Sequence, residues 1–119
     1  EVPAVKFREI ADDTPAEASE RIRERVTNAR ELQQQRFKSD GIYANAQMKP
    51  RHLRKYCKID ESSQQLMEAA MSRMGLSARA YNRILKVSRT IADLEASEKI
   101  ETHHISEAIQ YRSLDRKVS

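Results

Sequence analysis

Two arginines near a predicted helix start offer the clearest chemistry in this sequence. Ser77 is a good N-cap residue, and Arg79 follows it in what would be the first helical turn. Backbone N–H groups and the helix dipole favour an anion there, and a guanidinium adds a forked, permanently charged donor for phosphate oxygens. Arg83 follows one turn later. By spacing alone, an exposed arginine at a helix end is the simpler interpretation, because surface arginines are common.

A second basic group lies in a stretch, residues 49–58, that contains no acid. Its members are Lys49, Arg51, Arg54, Lys55 and Lys58. They could contact the phosphates of DNA, or they could form a solvated face or an intersubunit surface. The net charge of +4 is compatible with a nucleic-acid or phosphate ligand and proves neither. Tyr43 and Tyr56 are too few and too separated to predict base stacking.

The remaining reactive side chains predict no metal site. Cys57 is the single cysteine, so it has no internal disulfide partner and lacks the companions of a zinc site. We expect it to be a small hydrophobic residue on a helix. His103 and His104 are adjacent, and neighbouring helical residues point about 100° apart, which makes them poor co-ligands. We expect both to lie at the surface or beside a helix cap.

The sequence contains no phosphate-binding loop. That motif, GxxxxGK[ST], needs two glycines five residues apart, and the glycines here are Gly41 and Gly75 alone. The motifs GxGxxG, HExxH and GxSxG are also absent. We therefore expect these 119 residues not to be an enzyme by themselves and to hold no cofactor of their own.

The elements that would position these residues are predicted to be helices. Scarce glycine and proline argue against a turn-rich β sandwich. A first helix is predicted over about 15–37, with Thr14 as its cap, Pro15 at its first position and Glu17 in a capping box. Its apolar stripe consists of Ile22, Val26, Ala29 and Leu32. Residues 1–10 resemble a strand that lacks its sheet, and residues 38–48 a connector.

Residues 49–112 predict four short helices that pack into a small bundle. Pro50 begins the first, and Asp60 caps the second, which ends at Met74 before Gly75. The third follows Ser77 and carries the widest apolar stripe, so we expect it to be central. The last is predicted to start after Thr102. Met67, Met71 and Met74 are expected to belong to the core of this bundle rather than to a binding groove.

Three stretches resemble the C-terminal region of the magnesium-chelatase-like AAA+ ATPases of the ComM/YifB type. They are NAQMKPRHLRKYCKID, GLSARAYNRILKVSRTIADLEASEKI and HHISEAIQYRSLDR. EVPAV and RIRERVTNARELQQQRF are similar to the segments that precede them in that family. The resemblance implies the end of an α/β ATPase core at 1–45, followed by an all-α lid at 46–116. Lys49, Ser88 and Ala96 depart from the pattern, which has Ser, Ala and Gly there, so the helix after Lys49 is expected to start loosely.

The resemblance also implies a function. Arg79 matches the sensor-2 arginine, which points to the γ-phosphate of ATP, with Ser77 and, more weakly, Arg83 beside it. The full-length protein would bind ATP and Mg²⁺ and pair with its own core and with neighbouring subunits of a hexamer. It would act on DNA in a helicase or branch-migration role related to competence. A magnesium-chelatase subunit lid and a DNA-binding helical module are the alternatives. A cytoplasmic location without membrane contact is expected, since no apolar run is long enough to span a bilayer.

Overall fold

A computed structural model describes the backbone of residues 15–118 and the side chains of residues 19–112. No strand occurs within residues 15–118, which confirms the all-α fold class. The helices are α1 (Pro15–Arg36), a short 3-10 helix (Asn45–Gln47), α2 (Pro50–Tyr56), α3 (Glu61–Met74), α4 (Ala78–Leu94) and α5 (Thr102–Val118). The predicted strand remnant, Thr14 and the side chain of Glu17 lie outside the described residues.

The starts of α3 and α4 follow the predicted capping chemistry. Asp60 Oδ1 accepts a hydrogen bond from the backbone N–H of Ser63 at 2.8 Å, and Ser77 Oγ accepts one from that of Ala80 at 3.2 Å. Each bond satisfies one of the N–H groups that a helix start leaves without an intrahelical partner. The bonds from Ser63 also hold the pKa of Asp60 below its usual value.

The starts of α2 and α5 use a histidine in place of a serine or aspartate cap. The Nδ1 atoms of His52 and His104 accept hydrogen bonds from the backbone N–H groups of Lys49 and Glu101, at 2.9 and 2.8 Å. The third helical residue thus reaches back to the N-cap, as glutamate does in a capping box. Lys49 contributes no side-chain cap. The last helix, predicted to start after Thr102, begins one residue earlier, at Thr102 itself.

The loops after α3 and α4 form the same backbone motif with different residues. Gly75 has φ of 61°, and the N–H of the next residue donates to the Met71 carbonyl at 3.0 Å. Ala96 has φ of 57°, and the N–H of Ser97 donates to the Ala92 carbonyl at 2.8 Å. This is the Schellman arrangement, in which the left-handed residue is usually glycine because a Cβ is strained there. In the turn after α4, alanine therefore occupies a position where glycine is usual.

α4 is the central helix, as predicted. It packs against α1, the 3-10 helix, α2 and α5, while α3 packs mainly against α5. Their buried apolar side chains form one core around α4. The core consists of Phe37, Met48, Leu53, Cys57, Met67, Ile84, Leu85, Ala92, Ile100, Ile105 and Ala108. Met67 is fully buried and Met71 and Met74 are partly buried, which supports the packing interpretation of the methionines.

The predicted stripe of α1 is mostly exposed. Ala29 is buried, but Ile22, Val26 and Leu32 are exposed, and Ile22 retains 50% of its accessible surface. Periodicity indicates which face of a helix is apolar, but it does not indicate what covers that face. Among the described side chains of α1, residues 19–36, only those of the C-terminal part, which ends beside the buried Phe37, pack closely on the bundle.

The predicted connector, residues 38–48, is folded onto the bundle. Asn45 and Met48 are buried, and the stretch includes the 3-10 helix. The domain boundary that we predict at residue 45 remains a prediction. None of the helices within residues 15–118 is long and apolar enough to cross a membrane.

Candidate anion-binding end of the central helix

Arg79 lies in the first turn of α4, where its guanidinium is open to an external ligand. The helix begins at Ala78, directly after the Ser77 cap, and the Arg79 side chain is exposed. Within residues 19–112 it has no hydrogen bond or ion pair. The Ser77 hydroxyl already accepts the Ala80 N–H, so its first role is to hold this helix start in place.

Arg83 is the next arginine along α4 and is also exposed. Residues four apart on a helix are neighbours on its surface, so Arg79 and Arg83 form a continuous basic edge. Arg83 lines a small cavity together with Arg112 of α5. The sequence interpretation included Arg83 as a weak nucleotide contact and did not single out Arg112 as a binding residue.

The other end of α4 holds a buried ion-pair network that sequence reasoning missed. Asp93 is fully buried and accepts hydrogen bonds from both Nη atoms of Arg36, at 2.8 and 2.7 Å. Asn45 Nδ2 donates to the same carboxylate at 2.9 Å, and Arg89 Nε donates at 3.1 Å. The forked guanidinium of Arg36 matches the carboxylate geometry, which makes this a strong type of pair. The network therefore ties the end of α1 to the end of α4.

Arg89 extends the network into the turn that follows α4. Its Nη atoms donate to the backbone carbonyls of Glu98 and Ser97, at 3.1 and 2.7 Å. Burial lowers the pKa of Arg89, and the neighbouring Asp93 opposes that shift. The only sequence signal for this arrangement was the opposite charge of Arg89 and Asp93 four residues apart, which is equally typical of a solvated helix face.

His103 and His104 meet at one carboxylate oxygen. Both Nε2 atoms lie 2.9 Å from Oε1 of Glu95, so the two rings meet although neighbouring helical residues point about 100° apart. His103 is exposed, as expected, whereas His104 is fully buried. Long side chains in a first helical turn can converge on a residue of the preceding loop even though their Cβ atoms point apart. The hydrogen bonds from the two histidines lower the pKa of Glu95, and the bond to Glu95 raises the pKa of His103.

The three ligand-type atoms of this cluster lie within 4.8 Å of one another, which is close enough to consider a metal ion. The hydrogen bonding argues against one. Nδ1 of His104 accepts the Glu101 N–H, so the ring proton sits on Nε2, the atom that faces Glu95. A metal-binding histidine has the reverse arrangement, because its other nitrogen donates. The cluster is better described as a set of hydrogen bonds that joins the end of α4 to the start of α5.

The five basic residues of the 49–58 stretch are all exposed around α2. The opposite side of this helix is buried through His52 and Leu53. Lys55 lies over the ring of Tyr56, 5.0 Å from its centroid, and Tyr56 together with Asp40 raises the pKa of Lys55. Cys57 is buried at the end of α2, as predicted, and burial raises the pKa of its thiol to about 11.

The sequence matches one protein family over residues 16–112, nearly the whole described region. The family is described as magnesium chelatase, subunit ChlI C-terminal. The chain belongs to this family. Its helical bundle, with the LSARAY stretch at the start of α4, is thus the fold of a magnesium chelatase C-terminal domain.

Several curated proteins are similar to this family member. The chain is 40% identical over 100 residues to the competence protein ComM of Haemophilus influenzae, and these residues cover 84% of the chain. It is 39% identical over 102 residues, or 86% of the chain, to the protein YifB of Escherichia coli. In both comparisons the match spans 19% of the relative's length. Relatives of this length thus contain far more than the bundle described here.

Proposed function

We propose that this chain is the lid region of a longer AAA+ ATPase and that Arg79 contacts the γ-phosphate of bound ATP. The observation that carries the proposal is an exposed guanidinium in the first turn of α4 with no partner within residues 19–112. A charged donor at this place stabilises negative charge as phosphoryl transfer proceeds. ATP and Mg²⁺ would be held mainly by the core, since the chain has no phosphate loop.

The buried network supports the proposal that a nucleotide-dependent movement of the lid reaches the end of the core. Arg79 and Asp93 lie on the same helix, and Asp93 is bonded to Arg36 at the end of α1. Because Arg36 precedes the predicted boundary at residue 45 and Asp93 follows it, we propose that this pair couples the lid to the end of the core, so that movement of Arg79 on exchange of ATP for ADP is passed to α1. In this proposal residues 1–45 are the end of the core, residues 46–116 are the lid, and subunits of a hexameric ring meet around the nucleotide.

The test uses the full-length protein with Arg79→Ala and, as a matched control, Arg73→Ala on α3, which is also exposed. We expect ATP turnover to fall by roughly 10²-fold for Arg79→Ala, with ATP binding weakened less, as for removal of one charged transition-state donor. Arg73→Ala should leave both quantities within about twofold. Wild-type turnover in Arg79→Ala would exclude the sensor role.

We also propose that the assembled protein acts on DNA. The exposed basic side of α2 supports this proposal. Each lysine or arginine that contacts a phosphate adds about 0.9 to the slope of log affinity against log salt. Replacement of Arg51 and Arg54 by glutamine should reduce that slope by about 2 in fluorescence anisotropy with duplex DNA. An unchanged slope would remove α2 from the DNA interface.

A chelatase subunit is the second candidate, favoured by the description of the matched family. Such a protein would use ATP hydrolysis to drive metal-ion insertion into a tetrapyrrole. The two candidates differ in what stimulates turnover. Stimulation by DNA supports the DNA-acting ATPase, whereas stimulation by the large chelatase subunits with their tetrapyrrole supports the chelatase.

A further inference from the structure

A pair of arginines on adjacent helices lines one small cavity beside the start of α4. Arg83 comes from α4 and Arg112 from α5, and the cavity between them has a volume of about 40 Å³. The other lining residues are Ile84, Val87, Ala108 and Tyr111. Tyr111 is 63% exposed, so the cavity opens at the surface of the bundle.

No described side chain balances the charge of this arginine pair. Within residues 19–112, neither Arg83 nor Arg112 has a hydrogen bond or an ion pair. Nε of Arg112 is also buried without any hydrogen-bond partner. A buried donor left unpaired is unfavourable, and native structures usually satisfy such groups. Among the described side chains, the arrangement thus lacks an acceptor for the Arg112 guanidinium.

The shape and walls of the cavity indicate which acceptor fits. Its volume of about 40 Å³ is far below the roughly 300–1,000 Å³ of small-molecule ligand pockets, so it suits the head of one side chain better than a nucleotide. Both arginines lie inside helices, where the backbone N–H groups are already bonded, so the N–H cradle typical of phosphate sites is missing. A carboxylate matches the guanidinium donors of the two arginines, and the largely apolar walls suit the methylene groups of an acidic side chain.

We propose that Arg83 and Arg112 receive one glutamate or aspartate side chain from the ATPase portion that faces α4 in the full-length protein. The inference rests on the proposed function in one respect, because it requires an ATPase portion opposite α4. Arg79 and Arg83 are neighbours one turn apart, so a surface that covers Arg79 also reaches the cavity. The pair is then a docking point that holds the lid against that portion, next to the nucleotide contact.

Zero-length cross-linking tests the proposal directly. Arg112→Lys keeps the positive charge and introduces an amine, which a carbodiimide couples to any carboxylate in contact with it. In the full-length protein we expect a cross-link from position 112 to an Asp or Glu outside residues 1–119, identified by peptide mass spectrometry. Arg73→Lys, on the exposed side of α3, is the matched control and should not form that cross-link.

A cross-link confined to residues 1–119, or none beyond the control, overturns the proposal. If ATP binding is also weakened by Arg112→Gln in that case, the pair binds a phosphate instead of a carboxylate. A charge swap tests the same contact through ATP turnover. Arg112→Glu should lower turnover at least severalfold. Replacement of the cross-linked acidic residue by arginine in that variant should restore it. Because the cross-link is detected without turnover, its result stands even if Arg79→Ala proves fully active.

Discussion

The two ends of α4 carry arginines in opposite environments. At the N-terminal end, Arg79 and Arg83 are exposed and make no hydrogen bond within residues 19–112. At the C-terminal end, Arg89 is buried and donates to Asp93 and to two backbone carbonyls. A guanidinium carries five donors, and burial is tolerated only when most of them find acceptors. The difference distinguishes an anchored end from an end whose donors remain available to a ligand.

The largest expected effect is at the anchored end. Asp93→Ala would leave Arg36 and Arg89 facing each other without their carboxylate, in a site where the Asp93 side chain is fully buried. Removing one partner of a buried ion pair typically costs about 3–5 kcal/mol. We expect a loss of this size in the free energy of unfolding, measured by urea denaturation of the 119-residue chain.

The matched change at the open end is Arg79→Ala on the same helix. Because Arg79 is exposed and unpaired within residues 19–112, its removal should change the free energy of unfolding by no more than about 0.5 kcal/mol. Equal losses for Asp93→Ala and Arg79→Ala would contradict the distinction between the two ends. A loss below about 1 kcal/mol for Asp93→Ala would show that the ion-pair network does not anchor this end of α4.

The Ser77 cap should have an intermediate effect. Ser77→Ala removes the acceptor for the Ala80 N–H, which should cost about 1 kcal/mol in the same denaturation measurement. Ser77→Asn should retain most of that stability, because asparagine is an equally good cap. If Ser77→Asn nevertheless weakens ATP binding in the full-length protein, the hydroxyl contacts the nucleotide as well as the helix. Unchanged binding would leave Ser77 with the capping role alone.

Apart from the near-neutral Arg79→Ala control, the smallest expected effect is a gain of stability in the turn after the anchored end. Ala96 has φ of 57°, so Ala96→Gly should raise the free energy of unfolding by about 0.5–1 kcal/mol through relief of strain. The reverse change, Gly75→Ala after α3, should lower it by a similar amount. A Cβ at Gly75 meets nothing within 4 Å, so that loss would report the backbone conformation alone. Effects of the same sign at both positions would contradict the shared Schellman geometry.

Local chemistry made the helices of the bundle predictable. Asp60 and Ser77 cap helices because their side chains reach N–H groups only three residues away, and Gly75 ends a helix through its own dihedral angles. The wide stripe of α4 likewise identified the central helix. The family resemblance also indicated that the position of Ala96 is usually occupied by glycine. These features depend on neighbours in the sequence, so the sequence alone could indicate them.

The features that sequence reasoning missed depend on contacts between distant residues. Arg36 and Asp93 are 57 positions apart. The residue patterns of α1 and α4 do not indicate that these two side chains form a buried ion pair. The convergence of the two histidines on Glu95 depends on the path of the loop between α4 and α5. The open cavity at Arg83 requires α5 to lie against α4, and no spacing in either helix predicts it.

In the proposed ATPase, the bidentate bond between Arg36 and Asp93 would let α1 act as a lever. α1 has 22 residues and is thus about 33 Å long, and among its described side chains, residues 19–36, only those of the C-terminal part pack closely on the bundle. A rod held at one end amplifies rotation: turning the anchor by about 10° would sweep the far tip through about 6 Å for a helix of this length. A small tilt of the bundle would therefore produce a large displacement of the start of α1.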